Sequence, residues 1–106
     1  MMLPNKIKVL VANEPTDFRR TFDGLCGVVR EVLGEDPLSP ALFVFRNRRA
    51  DQIRILWWDR NGFALWMKRL ERGTFKFPAY DGAKRTITAA ELAALIEGAV
   101  IVRRAV

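Results

Sequence analysis

Arginine, lysine and tryptophan lie close together in one part of the chain, in a combination that suits nucleic-acid binding. The segment Phe43–Gly73 contains eight Arg or Lys residues and all three tryptophans. Cationic side chains neutralise phosphates, while an indole ring stacks on a base or lies against the sugar backbone. The residues predicted to contact DNA are Arg46, Arg48, Arg49, Arg54, Arg60, Lys68 and Arg69 through phosphates, with Trp58 or Trp66 as a stacking or packing aromatic.

A structural role is the competing interpretation of the same residues. Tryptophans mostly fill cores and interfaces, so Trp58 and Trp66 can also pack under the aliphatic stems of Arg54 and Lys68 or against a partner subunit. Arg46, Arg48 and Arg49 surround a predicted turn, where few apolar contacts are available to account for them as packing residues. Phosphate contact and a solvated turn are about equally favoured there.

The positive charge of the chain is concentrated in the same segment. The 106 residues carry a net charge of +6, with a sequence pI near 10.2. Residues 46–72 hold eight bases and three acids, whereas residues 1–45 hold five bases and six acids. A local excess of this kind is typical of a nucleic-acid footprint, although a basic solvated surface without a specific partner has the same composition.

Residues for acid–base, nucleophilic or metal chemistry are scarce. Histidine is absent and Cys26 is the one cysteine, which removes the usual nucleophile–base pairs, an internal disulfide and zinc-ligand spacing. Cys26 lies among apolar residues of a predicted helix, which favours a small buried hydrophobe. Caps, turns and neighbouring arginines account for most of the carboxylates that could form a two-metal nuclease site, namely Asp17, Asp23, Asp51, Asp59 and Glu71. We therefore predict that the protein is not an enzyme and uses no metal or cofactor.

Hydrophobic periodicity predicts one domain, residues 1–106, of class α+β. A β-branched run at Ile7–Ala12 predicts a strand, and apolar residues at helical spacing predict a helix from a cap at Thr16 or Asp17 to Gly34. The Thr88–Glu91 capping box begins a second helix. Further strands are predicted at Leu42–Arg46, Gln52–Trp58, Phe63–Leu70, Thr74–Phe77 and Val100–Val102, with a polar loop at Pro78–Arg85. We expect an antiparallel β-meander sheet of about four to six strands with the two helices packed on one face.

The turn Asp59–Gly62 determines which side chains of its hairpin share a face. We interpret it as a type I turn with glycine in the left-handed conformation. On the apolar face, which is expected to meet the helices, the predicted pairs are Trp57–Leu65 and Ile55–Met67. On the reverse face, basic and aromatic residues mix in the pairs Arg54–Lys68, Leu56–Trp66 and Trp58–Ala64. The prediction is a cationic ridge along the hairpin and its turns, and a shift of one residue would exchange these partners.

Three segments carry a family resemblance that covers nearly the whole chain. They are TDFRRTFDGLCGVV (Thr16–Val29), DPLSPALFVFRNRRADQIRILWWDRNGFALWMKRLERGTFKFP (Asp36–Pro78) and TAAELAALIEG (Thr88–Gly98). These segments resemble the small TnpB accessory proteins that the second reading frame of insertion sequence 66 elements encodes, a family distinct from the much longer RNA-guided nucleases of the same name. The resemblance implies participation in bacterial DNA transposition beside a separate, larger transposase.

Two functions remain as hypotheses. The first is a non-catalytic accessory factor that binds DNA through the basic hairpin and positions it for the transposase. The second is an interaction module that docks on the transposase or on another accessory protein of the same element without touching DNA, because Arg and Trp are also enriched at interface hot spots. No apolar run is long enough to span a membrane and none resembles a signal peptide, so a cytoplasmic protein without membrane contact is expected.

Overall fold

Runs of β-branched and aromatic residues build a five-stranded sheet, and two amphipathic segments form helices beside it. The computed structural model describes residues 7–77 and 79–97. In chain order the elements are β1 (Lys8–Ala12), α1 (Phe22–Glu31), β2 (Ala41–Arg46), β3 (Gln52–Asp59), β4 (Gly62–Arg69), β5 (Lys84–Ile87) and α2 (Ala89–Ile96). The order across the sheet is β4-β3-β2-β1-β5, so β4 and β5 lie at its two edges.

The predicted α+β class is confirmed, and the antiparallel meander is corrected at one pair of strands. The pairs β2–β3, β3–β4 and β1–β5 are antiparallel, whereas β1 and β2 are parallel. Parallel neighbours need a crossover connection, because the chain must return to the same end of the sheet before the second strand begins. The segment that contains α1 is that crossover, and only β2, β3 and β4 form the predicted meander.

The two helices cover opposite faces of the sheet, so the prediction that both pack on one face is wrong. Val29 of α1 lies in one apolar cluster with Phe43, while Leu92 of α2 lies in a second cluster with Val44. The residues of β1 and β2 read VLVA and ALFVF, and such continuous apolar runs are typical of strands that are buried on both sides. We call the two surfaces of the sheet the α1 face and the α2 face.

The β3–β4 hairpin has a register one residue away from the predicted one. Asp59 pairs with Gly62 across a two-residue loop, and the positive φ belongs to Arg60, at 58°, rather than to the glycine. Both central residues of a type I turn have negative φ, so the predicted type I turn is wrong. The observed cross-strand pairs include Ile55–Trp66, Leu56–Leu65, Trp57–Ala64 and Trp58–Phe63.

The change of register exchanges the side chains of β4 between the two faces. Trp66 lies opposite Ile55 and Lys68 lies opposite Ile53, so both belong to the α2 face. Met67 lies opposite Arg54 on the α1 face. The basic and aromatic residues of the hairpin are therefore divided between the two sides of the sheet.

Helix α1 begins later than predicted, and Gly34 follows it as expected. Its first residue is Phe22, because the preceding residues form a separate loop in which Asp17 Oδ1 accepts the backbone N–H of Arg19 at 3.0 Å. Gly34 has a φ of 65°, a left-handed conformation that glycine adopts without strain. Cys26 is buried in α1 as predicted, and burial raises the pKa of its thiol.

The strand β5 begins inside the predicted polar loop, while the strand predicted at residues 74–77 does not form. Phe75 is buried there, and its backbone N–H donates to Ala50 O at 2.7 Å. That bond attaches residues 74–77 to the β2–β3 turn instead of to a sheet edge.

Helix α2 has the predicted capping box and apolar stripe. Thr88 Oγ1 accepts the backbone N–H of Glu91 at 3.0 Å, and Glu91 Oε1 accepts the backbone N–H of Thr88 at 2.8 Å. Leu92 and Leu95 are buried against the sheet. The strand predicted at Val100–Val102 lies outside the described residues.

Candidate nucleic-acid interface

The turn between β2 and β3, residues 47–51, lies beside the loop that precedes α1. The backbone N–H of Thr16 donates to Arg46 O at 2.8 Å, which joins this loop to the end of β2. The two segments enclose an open cleft of about 540 Å³. The cleft is lined by Pro15, Thr16, Asp17, Phe18, Arg19, Asn47, Arg48 and Arg49. The fold therefore brings arginines from two distant segments to one cleft.

Side-chain hydrogen bonds hold the shape of the β2–β3 turn. Asn47 Oδ1 accepts the backbone N–H of Gln52 at 3.0 Å, and Asn47 Nδ2 donates to Asp51 Oδ1 at 2.7 Å. Arg48 and Arg49 are exposed at the tip. The guanidinium of Arg49 is 3.9 Å from the Asp51 carboxylate and its side chain is 84% exposed, so this ion pair leaves it available to an external anion.

Arg54 connects β3 to the loop before α1. Its guanidinium lies 4.4 Å from the centroid of the Phe18 ring, and its Nη1 donates to Arg20 O at 3.1 Å. A cation that is placed over an aromatic ring and bonded to a carbonyl has a defined position. Arg54 therefore anchors the loop that contains Arg20 on the α1 face, and the side chain of Arg20 is exposed.

Arg69 extends the basic surface onto β4. It pairs with Gln52, so it lies at the end of β3 nearest the 47–51 turn and on the same face as Arg54. Its side chain is exposed. We call the combined surface the cationic end, and its members are Arg19, Arg20, Arg48, Arg49, Arg54 and Arg69.

Two carboxylates lie within the cationic end, and they do not cancel its charge. Asp17 Oδ2 accepts from Arg19 Nη2 at 2.8 Å, and the hydrogen bonds from Arg19 lower the pKa of Asp17 to about 2. The same contact raises the pKa of Arg19, so both groups are ionised at neutral pH. Asp51 is the second carboxylate and is held by Asn47. Glu14 also lines the adjoining cleft with Arg20, so six guanidiniums lie beside three carboxylates, which leaves an excess of positive charge.

Two of the predicted arginines lie away from the α1 face of the cationic end. Arg60 is in the hairpin loop at the opposite end of β3. Arg46 is at the near end but on the α2 face, where its Nη2 donates to Asn13 O at 3.1 Å and its guanidinium lies 5.4 Å from the centroid of the Phe77 ring. Arg46 therefore has contacts that position it within the fold.

The predicted lysine and tryptophans are also separated from the cationic end. Lys68 Nζ donates to Ile96 O at 2.9 Å, which ties β4 to the end of α2. Trp66 packs against the apolar cluster beneath α2. Trp58 is on the α1 face near the Arg60 loop, where its ring meets that of Phe63 edge to face with centroids 5.0 Å apart. Of the predicted set, the fold brings together Arg48, Arg49, Arg54 and Arg69.

Sequence reasoning missed two members of the cationic end, Arg19 and Arg20. The predicted contacts do not include them, because the sequence predicts a helix over residues 16–34 and contains no signal that its start lies beside the 47–51 turn. The available signal was an adjacent arginine pair at residues 19 and 20 that repeats the pair at residues 48 and 49. Only the contact between the two segments, at Thr16 and Arg46, shows that the pairs are neighbours.

Residues 7–77 and 79–97 contain neither a cluster of metal ligands nor a membrane-spanning helix. No group of three acidic or cysteine side chains in this part of the chain is close enough together to hold one metal ion. Neither of its helices has the length and apolar character needed to cross a bilayer.

Comparison with known proteins matches nearly the whole chain to one family. Residues 7–105 match the family model described as IS66 Orf2 like protein. The uncharacterized protein y4hO of Sinorhizobium fredii is 39% identical over 99 residues, which cover 92% of this chain and 86% of the relative. The uncharacterized protein y4jC of the same organism is 37% identical over 92 residues, which cover 87% of this chain and 79% of the relative. No solved structure matches the chain.

Proposed function

Because the chain belongs to the IS66 Orf2-like family, whose role is that of an accessory in transposition, we propose that it binds the phosphate backbone of DNA through the cationic end. In this role the protein assists a separate transposase and is not itself catalytic. Strand cleavage and joining belong to the transposase.

The observation that carries the proposal is the convergence of six arginines on one end of the α1 face. Four of them, Arg20, Arg48, Arg54 and Arg69, form no ion pair with any acid among residues 7–77 and 79–97. Arg54 is held by the Phe18 ring and the Arg20 carbonyl. The exposed guanidiniums of Arg20, Arg48 and Arg69 are available to phosphate oxygens, with which they form charge-assisted and often bidentate hydrogen bonds.

The beginning of α1 adds donors beside these arginines. Thr21 is the N-cap residue, and its side chain makes no capping hydrogen bond. The first N–H groups of a helix lack intrahelical partners, and the helix dipole makes that end positive. Asp23 in the first turn of α1 reduces this positive charge, and the unpaired N–H groups remain the feature that supports contact with the DNA backbone rather than with base edges.

A salt titration tests the proposal with two matched double variants. Arg48→Gln/Arg49→Gln removes two charges from the cationic end, while Lys8→Gln/Arg30→Gln removes two exposed charges from residues outside the predicted site. Affinity for element-end and unrelated duplexes is measured at several salt concentrations. We expect the first variant to lower the slope of log K against log salt by about two units for every duplex, and the second to leave it nearly unchanged.

Equal losses in the two variants would mean that net charge alone drives binding and would refute a localised site. DNA contact by Arg46, Arg60, Lys68, Trp58 and Trp66 stays a prediction, which single substitutions in the same titration test.

The alternative, docking on the transposase or on the other accessory protein without DNA contact, is tested with the same purified protein. Failure to bind DNA at low salt, together with co-purification of a partner free of nucleic acid, would favour it. Trp58→Ala is a better probe of this contact than Trp66→Ala, because Trp66 packs against the apolar cluster beneath α2.

A further inference from the structure

Strand β4 is an edge strand with the properties of a pairing surface. Among residues 7–77 and 79–97, its only partner is β3, with which all eight of its residues pair in an unbroken register. The strand contains no proline and no bulge. An edge strand directs alternate backbone N–H and C=O groups away from its partner, and these groups can accept another strand.

The side chains of β4 add an apolar surface to this edge. Phe63, Leu65 and Met67 lie on the α1 face, opposite Trp58, Leu56 and Arg54 of β3. The apolar cluster beneath α1 takes its sheet residues from β1, β2 and β3, and Phe63 and Leu65 are only partly buried at its margin. Met67 is 59% exposed. An exposed methionine and two partly exposed apolar residues on an open edge are typical of an association surface.

We infer that β4 pairs antiparallel with β4 of a second copy, joining two five-stranded sheets into one of ten strands. The two-fold axis of such a pair is perpendicular to the sheet, so facing residues must lie on the same face. A pairing centred on Leu65 satisfies this condition. It places Leu65 opposite Leu65, Phe63 opposite Met67, and Ala64 opposite Trp66 of the second copy.

The charges of β4 favour a second copy as the occupant of this edge. In the register centred on Leu65, Lys68 lies opposite Gly62 and Arg69 opposite Asn61 of the second copy, so no cation on one strand faces a cation on the other. Like charges directly opposite each other would destabilise the pair. The five residues from Phe63 to Met67 are all apolar and pair only with one another, which makes the strand self-complementary.

The other edge of the sheet does not have these properties. β5 has four residues, and two of them, Lys84 and Arg85, are cationic. Short edge strands with basic side chains are a common protection against edge-to-edge association. The edge strand β5 therefore serves as a matched control for β4 in the same molecule.

Disulfide trapping tests the register directly. Two Leu65→Cys chains would place their Cα atoms about 4.5–5.5 Å apart across the two-fold axis, which is within the range of a disulfide bond. The native Cys26 is buried and does not compete. We expect mild oxidation to link Leu65→Cys into a dimer and to leave Thr86→Cys, on the exposed side of β5, monomeric.

Sedimentation equilibrium of the unmodified chain and of Met67→Lys provides an independent test. We expect a dimer for the unmodified chain and a dissociation constant raised about tenfold or more by Met67→Lys, which places a cation opposite Phe63. The side chain at residue 67 is mostly exposed, so circular dichroism should show an unchanged fold.

Three outcomes would overturn the inference. The first is a chain that remains monomeric up to about 100 μM, because all but very weak association would produce a detectable dimer at that concentration. The second is a dimer that Leu65→Cys does not trap and Met67→Lys does not weaken. The third is a monomer that dimerises only after truncation behind Glu97, which would show that the chain's own C-terminal residues occupy the edge. Each result is independent of DNA binding, since none of the arginines of the cationic end is altered.

Discussion

The contact between Lys84 and the end of α1 should contribute measurably to stability. Lys84 Nζ donates to Leu33 O at 2.6 Å and also to the carboxylate of Glu35, which joins β5 to the residues that follow α1. The side chains of Lys84 and Glu35 are 34% and 22% exposed, so the ion pair is partly shielded from water. Lys84→Met keeps the apolar stem and removes both hydrogen bonds.

The expected loss can be estimated from these two bonds. A partly buried hydrogen bond to a charged group contributes about 1.5 kcal/mol, and the bond to the Leu33 carbonyl adds about 1 kcal/mol. Glu35 remains partly hydrated in the variant, which reduces the total to about 2 kcal/mol. For a chain of this size the loss corresponds to a decrease in Tm of roughly 10 °C.

Denaturant unfolding followed by tryptophan fluorescence measures this quantity, and a double-mutant cycle with Glu35→Gln isolates the pair. We expect a coupling free energy of about 1 kcal/mol at neutral pH. The hydrogen bond from Lys84 lowers the pKa of Glu35 from its ordinary value of 4.5. A carboxylate with a lowered pKa stabilises the fold above its unfolded-state pKa and loses this contribution as the pH falls through the folded-state pKa. The difference between the native chain and Glu35→Gln should therefore be full at neutral pH, begin to decrease near pH 4.5, and disappear only when the pH is below the lowered folded-state pKa of Glu35.

A destabilisation below about 0.5 kcal/mol for Lys84→Met, or a coupling that does not change with pH, would refute this reasoning. Either result would also be evidence against the position of β5, because the contact exists only if Lys84 lies at the edge of the sheet beside the end of α1.

Three further predictions concern single positions of the fold. Arg60→Gly should stabilise the protein by about 0.5–1 kcal/mol in denaturant unfolding, because φ at this residue is 58° and glycine adopts that conformation without strain; an unchanged midpoint would contradict it. Gly27→Ala should stabilise α1 by up to about 1 kcal/mol, since nothing lies within 4 Å of the added Cβ, whereas Gly24→Ala should destabilise because its Cβ would lie 2.6 Å from Arg20 Cβ. Cys26 should react with thiol reagents at neutral pH only as fast as the protein opens, because it is buried and its pKa is raised; rapid labelling of the native state would be inconsistent with that position.

Local signals in the sequence predicted most of the elements but not their arrangement. The capping box of Thr88 and Glu91 predicted the start of α2, because both hydrogen bonds join residues three apart. The hairpin register depended on which residue takes the positive φ. Gly62 is the usual candidate, and the assignment to Arg60 follows from the pairing of whole strands rather than from local preference.

Only some members of the cationic end were predictable, because its arginines come from two segments that are distant in the sequence. Arg48, Arg49, Arg54 and Arg69 lie in one segment, and their local charge excess was visible in the sequence. Arg19 and Arg20 belong to it because β1 and β2 are parallel, so the loop that follows β1 lies beside the turn that follows β2. Likewise, the sequence of β5 predicts a polar loop, because an edge strand with one exposed face contains few apolar residues.

Pairing of β4 between two copies and DNA binding by the cationic end together lead to a prediction that neither proposal makes alone. A two-fold axis perpendicular to the sheet leaves the α1 faces of both copies on the same side, with one cationic end at each side of the axis. The Arg69 residues of the two copies would be eight residues apart along the strands, or about 27 Å. The arginines of the turns extend this spacing toward the roughly 34 Å of one DNA helical turn.

Met67→Lys should therefore weaken DNA binding although it adds a positive charge, because a monomer presents only one cationic end. In the same titration, the salt slope of the native dimer should be about twice that of the Met67→Lys monomer, since counterion release scales with the number of phosphates contacted. Duplexes shorter than one helical turn should not show this difference, because they cannot reach both ends. An affinity that is unchanged or raised by Met67→Lys, under conditions where the dimer has dissociated, would show that the two surfaces act independently.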